Sequence, residues 1–483
     1  MYENLLANIP TELWIGGQWR ESSDKSRFDV LDPATEDVIA SVASATVDDA
    51  AAAVDAAADA AAEWAARSPR ERCEVLRRAF ELLTANAERF ARLITLENGK
   101  ALPDSRSEVA YAAEFFRWFG EEGVRNLGQL SRAPSSGARI VVQHRPAGVA
   151  VLVTPWNYPA AMATRKIAPA LAAGCSVVLK PASETPLTML ALMPLLQEAG
   201  VPAGVVNVVP SRRSGAVVSG MLHDMRVRVV SFTGSTEVGV KLLHEAADNV
   251  VRPAMELGGN APFIVFEDAD LDEALDGAMI AKMRNQGEAC TAANRFYVHE
   301  SVHDAFAQKL SSRMNALKMG NGLENGVTLG PLVNGDTRDK VQELVEDAIA
   351  KGAKVTAGGK RPDGKGFFYP ATVLTHVPVS ANLVREEIFG PVAALQTFST
   401  EAEVIELANK TEFGLIAYVY TRDMKRGLRV SEKLDFGMVG LNRGVVSDPA
   451  APFGGMKQSG LGREGGHEGL MEFLQTQYIS VEW

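Results

Sequence analysis

Apolar positions in the first hundred residues recur at the three- and four-residue spacing of amphipathic helices. Thr46 precedes an alanine-rich run that continues to Ala66, and Asp49 stands where a capping box places its acidic partner. Further aspartates mark a polar face of this run, which predicts a surface helix. A second helical pattern covers residues 69–95, so the N-terminal part is predicted to be helical.

From Gly148 onward, short continuous apolar runs alternate with helical patterns. Strands are predicted at residues 149–153, 176–179, 205–209 and 227–232, and helices at residues 160–173, 189–199 and 237–246. A second series of strands and helices extends from residue 261 to about residue 441. This alternation predicts an α/β fold with parallel, doubly wound sheets.

Residues 138–144 and 473–483 instead alternate apolar and polar positions, which predicts strands with one exposed face. We interpret them as an edge sheet or a sheet that spans two subunits. The patterns divide the chain into three units. These are residues 1–130 with 147–257, residues 258–465, and a small β arm of residues 131–146 with 466–483.

The chain has 483 residues, too many for one core, so two or three domains are expected. A net charge of −11 without a block of basic residues disfavours nucleic acids and anionic membranes as partners. No apolar run approaches the ~18 residues of a membrane span. Residues 1–10 do not resemble a secretory signal, so a cytoplasmic location is expected.

The three cysteines are Cys73, Cys175 and Cys290, and their spacing fits neither a disulfide framework nor a metal site. Cys73 lies in a helical pattern and Cys175 begins a strand-like run, so both are predicted to be core residues. Cys290 differs because small residues flank it in the segment NQGEACTAANR, where a substrate can approach the thiol. Cys290 is therefore the candidate nucleophile.

Glu256, in the upstream segment MELGGN, can serve as a general base. A thiolate that attacks a carbonyl and a base that activates water are the groups that covalent catalysis requires. A metal hydrolase is disfavoured because the seven histidines show no pair with ligand spacing, so no metal is expected. The alternative from another class is a catalytically silent structural or binding protein.

Two glycine-rich segments are candidates for a dinucleotide site. Residues 460–465 match G-x-G-x-x-G, but no strand precedes them closely and too little chain follows, so we exclude them. Gly234 and Ser235, in FTGSTEVG, follow the predicted strand at residues 227–232 and open a helix. The free N–H groups at that helix start suit a pyrophosphate, which makes this turn the better candidate.

The segments around Cys290 and Glu256 resemble the active-site signatures of the aldehyde dehydrogenase superfamily, and the resemblance covers nearly the whole chain. It implies a Rossmann-type cofactor domain, an α/β catalytic domain and a small oligomerisation arm, corresponding to the three units above. It also implies an NAD(P)-dependent enzyme for a small aldehyde, assembled as a homodimer or homotetramer. The positions that match cofactor contacts are Thr154, Pro155, Trp156, Lys180, Ser183, Glu184, Gly234, Ser235, Leu257, Glu387 and Phe389.

Ser183 bears on the choice of cofactor. In the superfamily the residue corresponding to Lys180 binds the adenosine ribose, and NAD-preferring members usually carry glutamate three residues later, where this chain has Ser183. A carboxylate would repel a 2′-phosphate, whereas a hydroxyl can donate to it. We therefore predict that NADP is preferred and NAD is a second cofactor, although Glu184 could restore some repulsion if it turned inward.

Asn157, in TPWNYP, matches the superfamily's oxyanion donor. The resemblance implies that the Cys290 thiolate attacks the aldehyde while the Asn157 amide and the Cys290 N–H hold the oxyanion. Hydride then passes to the nicotinamide, and water activated by Glu256 hydrolyses the thioester. Because relatives that transfer the acyl group to coenzyme A do not need this base, Glu256 favours release of a free acid.

Arg165, Arg284 and Ser447 match residues that hold the distal carboxylate in succinate-semialdehyde dehydrogenases of this superfamily. Succinate semialdehyde is expected first and glutarate semialdehyde second, because one methylene changes binding by only ~1–3 kcal/mol. An enzyme for aromatic or simple aliphatic aldehydes, with structural arginines, is the alternative within the fold. Ala292 stands where some relatives carry a second cysteine, so no redox-switch disulfide is expected.

Overall fold

The computed structural model describes residues 3–482. Met1 and Tyr2 of the first predicted unit, and Trp483 of the predicted C-terminal strand, lie outside the described residues. No helix between residues 3 and 482 is long and apolar enough to cross a lipid bilayer.

The first predicted series of strands forms an eight-stranded sheet. Its five central strands are parallel, with an antiparallel hairpin of two strands on one side and a single antiparallel strand on the other. The strand order is Gln18–Arg20, Leu13–Ile15, Val206–Val208, Ser176–Lys180, Val149–Val153, Val227–Thr233, Arg252–Glu256 and Gly460–Leu461. The helices that follow its central strands are Ala161–Ala173, Leu187–Ala199, Ser214–Leu222 and Thr236–Asp248.

The N-terminal helices cover this sheet, but the N-terminal part is not helical throughout as predicted, because residues 13–43 contain four short strands. They are Glu3–Leu6, Val47–Ala66, Pro69–Ala85, Ala87–Asn98 and Leu102–Glu122, followed by the 3-10 turn Gly123–Arg125. The predicted capping box is present, because Thr46 and Asp49 bond each other's backbone N–H. The helical stretch predicted at residues 69–95 is present as two helices, since Asn86 ends the first by donating its side-chain amide to the carbonyl of Leu82.

The second series of strands forms a seven-stranded sheet that is parallel except at one edge. Its order is Lys354–Ala357, Thr372–Thr375, Val392–Phe398, Ala293–His299, Ala261–Val265, Ile416–Tyr420 and Met438–Leu441. Its helices are Leu271–Met283, His303–Asn315, Gly335–Ala350, Glu401–Asn409 and Met424–Ser431, with 3-10 turns at Arg284–Gly287 and Asn382–Val384.

The two alternating segments pair with each other in a third sheet. Leu474–Val481 lies antiparallel to Arg139–Pro146, which pairs on its other side with Gln129–Arg132. The remaining elements are the hairpin Arg27–Leu31 with Val38–Ala43, the pair Phe413–Gly414 with Met456–Lys457, and the helix Glu468–Met471.

The backbone joins the first two sheets through a short segment. The first sheet's Arg252–Glu256 is followed four residues later by Ala261–Val265 of the second. Gly460–Leu461, from the predicted second unit, pairs with Met255 and Glu256 in the first sheet. This edge strand is also the segment that matched G-x-G-x-x-G, and it forms no strand–helix turn. The site therefore lies where the carboxyl ends of the first sheet's strands meet the second sheet.

Candidate active site

Three adjacent parallel strands bring the predicted signatures to one edge of the first sheet. Val149–Val153 leads into the loop that carries Asn157, Val227–Thr233 leads into Gly234 and Ser235, and Arg252–Glu256 ends at Glu256. Carboxyl ends of neighbouring parallel strands meet at one edge, which is where ligands bind in open α/β sheets.

A cavity with an empty volume of about 830 Å³ opens at this edge. Most of the predicted cofactor contacts line it, together with Asn157 and Cys290. The predicted lining residues are Pro155, Trp156, Gly234, Ser235, Leu257, Glu387 and Phe389. Thr337 and Lys340 also line it, and the sequence reasoning missed both. Lys340 binds the carbonyl of Glu387 at 3.0 Å, a contact across the fold that no local motif signals.

The turn at Gly234 and Ser235 has the form predicted for a phosphate-binding helix start. Ser235 caps the helix Thr236–Asp248 by accepting the N–H of Val238. The hydroxyl of Thr233 is buried and has no hydrogen-bond partner among the described residues. Free N–H groups and an unsatisfied hydroxyl facing one cavity fit the polar groups of a nicotinamide dinucleotide.

The other four predicted cofactor contacts lie outside this cavity, at the ends of the strands Val149–Val153 and Ser176–Lys180. Thr154, Lys180, Ser183 and Glu184 line neither this cavity nor the substrate cavity described below. Burial lowers the pKa of Lys180 to about 8, against the attraction of Glu184. The Ser183 hydroxyl donates to Glu184 at 3.2 Å, so the two predicted determinants of cofactor choice contact each other.

Glu387 and Phe389 lie at the opposite wall of the cofactor cavity. The Glu387 carboxylate accepts the N–H of Gly259 at 3.2 Å, and burial raises its pKa to about 7. The Phe389 ring lies edge-on to Trp156, with 5.3 Å between ring centroids. The Glu387 carboxylate can accept hydrogen bonds from sugar hydroxyls, and the Phe389 ring offers an apolar surface for a planar aromatic group.

Cys290 lies at the junction of two cavities, because it lines both of them. The backbone of MELGGN passes directly beneath it, and a Cβ at Gly259 would lie 2.7 Å from the Cys290 carbonyl oxygen. Burial raises the pKa of the Cys290 thiol to about 12, although Arg165 and Arg284 oppose this. The thiol is therefore protonated at neutral pH in this state.

Asn157 lies beside Cys290 in the cofactor cavity. Its side-chain amide donates to the carbonyl of Glu288 at 3.0 Å, which leaves the second amide hydrogen free. Its main-chain carbonyl accepts from Lys100 and from Asn285. Asn157 is thus held from both ends, as a preorganised oxyanion donor requires.

Glu256, the predicted base, lies close enough to Cys290 for its charge to raise the pKa of the thiol, but it does not line either cavity. Its side chain is buried, and neither carboxylate oxygen has a hydrogen-bond partner among the described residues. Burial, together with the negative charge of Glu464, raises its pKa well above the usual range. The structure brings Cys290 and Asn157 together, whereas Glu256 lies behind them, close to Gly454.

The second cavity, with an empty volume of about 520 Å³, collects the predicted carboxylate anchors. Arg165, Arg284 and Ser447 all line it with Cys290, although the three residues come from distant parts of the chain. Sequence reasoning missed its other lining residues, which include Asp104, Tyr111, Tyr158, Met162 and Phe453. Tyr158 directly follows Asn157 in the TPWNYP segment, which could have pointed to it, whereas Tyr111 lies on a helix without a local signal.

The two arginines of this cavity differ in how their charges are balanced. Arg165 is buried, pairs with Glu464 at 3.3 Å and lies over the ring of Phe453. Arg284 donates to the hydroxyl of Thr291 at 3.1 Å, and its Nε has no partner. Within residues 3–482, Arg284 forms no ion pair. Asp104 lines the same cavity and interacts electrostatically with Arg284, but the two side chains do not form an ion pair.

No metal centre accompanies these groups. Among residues 3–482, no cluster of three or more His, Cys, Asp or Glu side chains could hold a metal ion. Cys73 and Cys175 are buried in the core, as predicted.

The whole chain is similar to characterised aldehyde-oxidising enzymes. It is 55% identical to a succinate-semialdehyde dehydrogenase of Paenarthrobacter nicotinovorans, over 92% of this chain and 99% of that one. It is 49% identical to a glutarate-semialdehyde dehydrogenase of Pseudomonas putida, over 97% of each chain. The fold matches the crystal structure of an NADP-dependent enzyme of E. coli with a TM-score of 0.97 and 47% identity, covering 100% of this chain and 99% of that one.

The Aldehyde dehydrogenase family profile matches residues 19–479. This match and the structural likeness confirm the predicted resemblance, the predicted α/β fold and the predicted class of NAD(P)-dependent enzyme. The chain belongs to the aldehyde dehydrogenase family.

Proposed function

We propose that this enzyme oxidises an ω-carboxylated semialdehyde, with succinate semialdehyde as the preferred substrate and the free acid as the product. The observation that carries the proposal is the unpaired guanidinium of Arg284 in the cavity that also exposes Cys290. A planar guanidinium matches a carboxylate in shape and charge, and Ser447 on the same wall adds a hydroxyl donor.

Glutarate semialdehyde is the second candidate. The Pseudomonas putida relative that carries this name is 49% identical over 97% of each chain. One additional methylene changes binding by only ~1–3 kcal/mol, so we expect turnover of both substrates.

The proposed reaction begins at Cys290. The thiol gives its proton to solvent water, its sulfur bonds to the aldehyde carbon as the carbonyl π bond breaks, and the Asn157 amide with the Cys290 N–H stabilises the oxyanion. A bound nicotinamide supplies the hydride acceptor. The thioester on Cys290 then needs a base that removes a proton from water.

Glu256 can take that second role after a side-chain rotation. Because its carboxylate makes no hydrogen bond where it lies, turning toward Cys290 breaks none. Burial holds its pKa high in the resting position, and access to the wetter cavity would lower the pKa and free the carboxylate to accept a proton. We therefore assign Glu256 to thioester hydrolysis.

Arg284→Met tests the carboxylate anchor. Methionine keeps most of the side-chain volume but removes the charged donors, so kcat/KM for succinate semialdehyde is expected to fall about 10²-fold. Butyraldehyde has the same chain length without the carboxylate, and its kcat/KM should change only a few-fold. A protein that oxidises both aldehydes equally well before the substitution would contradict the proposal and favour the broad-specificity alternative.

We propose NADP as the preferred cofactor and NAD as the second, supported by Ser183 at the end of the strand Ser176–Lys180. Ser183 donates to Glu184, so a 2′-phosphate would have to displace that carboxylate from the hydroxyl. Glu184 thereby limits the preference without reversing it.

Ser183→Glu is expected to lower kcat/KM for NADP about 10²-fold, because a second carboxylate would face the 2′-phosphate. The value for NAD should stay level or rise. Glu184→Gln is the matched variant and should instead improve NADP. Equal loss of both cofactors in Ser183→Glu would contradict the assignment of Ser183.

We propose that residues 1–130 and 147–257 form the cofactor unit and that residues 258–465 form the catalytic unit.

We propose a cytoplasmic homodimer or homotetramer, joined through the arm of residues 131–146 and 466–483. The free cysteines suit a reducing compartment. In the sheet of the arm, Leu130 and Tyr478 are 65% and 59% exposed, so an apolar surface near the sheet edge is open to contact with a second subunit.

A further inference from the structure

A buried ion pair lies directly behind the loop that carries Asn157. The Nζ of Lys100 is 2.6 Å from Oε2 of Glu108, and neither side chain is exposed. The other oxygen of Glu108 accepts the backbone N–H of Ala160 at 2.8 Å and of Ala161 at 3.3 Å. Glu108 therefore fixes the end of the loop at the start of the next helix.

Lys100 also binds the loop itself. Its Nζ donates to the main-chain carbonyl of Asn157 at 2.6 Å and lies 4.1 Å from the centroid of the Tyr158 ring. Two residues earlier in the chain, Asn98 donates to the carbonyl of Trp156 at 3.1 Å. Side chains of one short segment thus hold two consecutive carbonyls of the loop.

A contribution to the stability of the fold does not by itself explain why this ion pair is buried. Desolvating two charges costs several kcal/mol per ion, and well-packed apolar residues often stabilise a core equally well. An apolar residue, however, cannot donate a hydrogen bond to the carbonyl of Asn157. The Lys100 ammonium has three N–H donors and three neighbours, which are the Glu108 carboxylate, the Asn157 carbonyl and the Tyr158 ring. Each donor therefore has a partner.

We propose that Lys100 is a positioning residue that, with Glu108 as its counter-ion, fixes Asn157 for oxyanion stabilisation. By holding the carbonyl of Asn157, Lys100 fixes the backbone from which the side-chain amide reaches the cavity that Cys290 also lines. The inference rests on the covalent oxidation proposed above but not on the carboxylate of the substrate. It therefore applies equally to succinate semialdehyde and to butyraldehyde.

The test combines Lys100→Met with Asn157→Ala in a double-mutant cycle. Lys100→Met is expected to lower kcat about 10-fold to 10²-fold for both aldehydes, because small misplacements of a catalytic group have effects of this size. KM and the ratio between the two aldehydes should stay nearly unchanged. Asn157→Ala should lower kcat about 10²-fold to 10³-fold. Adding Lys100→Met to Asn157→Ala should cause no further loss.

Lys100→Met alone leaves Glu108 buried without its partner, so a second variant guards against simple unfolding. Lys100→Met/Glu108→Gln removes both charges, and glutamine keeps an acceptor for Ala160 and Ala161. It should regain thermal stability but not kcat. The control is Arg106→Met, on the helix that also carries Glu108. It removes the exposed ion pair between Arg106 and Glu88 and should retain full kcat.

Three results would overturn the inference. They are full kcat in the folded Lys100→Met/Glu108→Gln protein, independent losses from Lys100→Met and Asn157→Ala in the cycle, and full kcat in Asn157→Ala. Failure of the substrate assignment is distinguishable, because it would change the ratio between the two aldehydes in the unaltered enzyme and not the outcome of the cycle.

Discussion

Replacement of Cys290 by alanine is expected to abolish aldehyde oxidation while cofactor binding persists. Cys290 is the cysteine that lines the two cavities, whereas Cys73 and Cys175 are buried in the core. Loss of the nucleophile in covalent catalysis lowers kcat by a factor on the order of 10⁴ to 10⁶. Steady-state formation of the reduced cofactor measures the effect, and cofactor titration shows that the fold is intact.

The matched control is Cys73→Ala, which removes a thiol far from both cavities and should keep full activity. Thiol alkylation gives a second readout for the same cysteine. Burial raises the pKa of Cys290 to about 12, so below that pH the thiolate fraction and the labelling rate should rise about tenfold per pH unit. Substantial activity in Cys290→Ala, or fast labelling that does not depend on pH, would contradict its role as the nucleophile.

Glu256→Gln is expected to stop the reaction after the first half. Glutamine preserves the shape of the side chain but cannot accept a proton from water, so the thioester on Cys290 should accumulate. General-base loss typically lowers turnover about 10²-fold to 10⁴-fold. Rapid mixing should show a burst of about one reduced cofactor per active site, followed by slow turnover.

The burst distinguishes two roles for Glu256. If the carboxylate instead activates the Cys290 thiol, Glu256→Gln would lose the burst together with turnover. In the unaltered enzyme, the raised pKa of Glu256 predicts that thioester hydrolysis quickens as pH rises, because the carboxylate gains its negative charge. Unchanged turnover in the variant would contradict any role in proton transfer.

Local patterns were sufficient to predict the elements that frame the site. Residues 149–153 were predicted as a strand, and the strand Val149–Val153 has the same bounds. The capping box of Thr46 and Asp49 is present, and the two predicted alternating segments form the paired strands Arg139–Pro146 and Leu474–Val481. These features depend on period, capping and turn chemistry within a few residues, which is the information a sequence carries directly.

Contacts between segments that are distant in the sequence could not be predicted in the same way. The convergence of Arg165 and Arg284 on one cavity depends on how a helix of the first sheet packs beside a turn of the second. Glu256 was predicted as the base from its motif alone. Its buried side chain lies near Gly454 and Glu464 and lines neither cavity, which the motif does not indicate. The contact from Lys100 to Asn157 links residues that are 57 positions apart, and no local sequence pattern predicts it.

The most direct test of the account is to identify the acyl group that accumulates on Cys290. Glu256→Gln is mixed with NADP and equal concentrations of succinate semialdehyde and butyraldehyde, and the peptide containing Cys290 is weighed by mass spectrometry. We expect one succinyl group on Cys290 and almost no butyryl group. A butyryl group in comparable amount would contradict the carboxylate anchor, and an unmodified Cys290 would contradict the covalent mechanism itself.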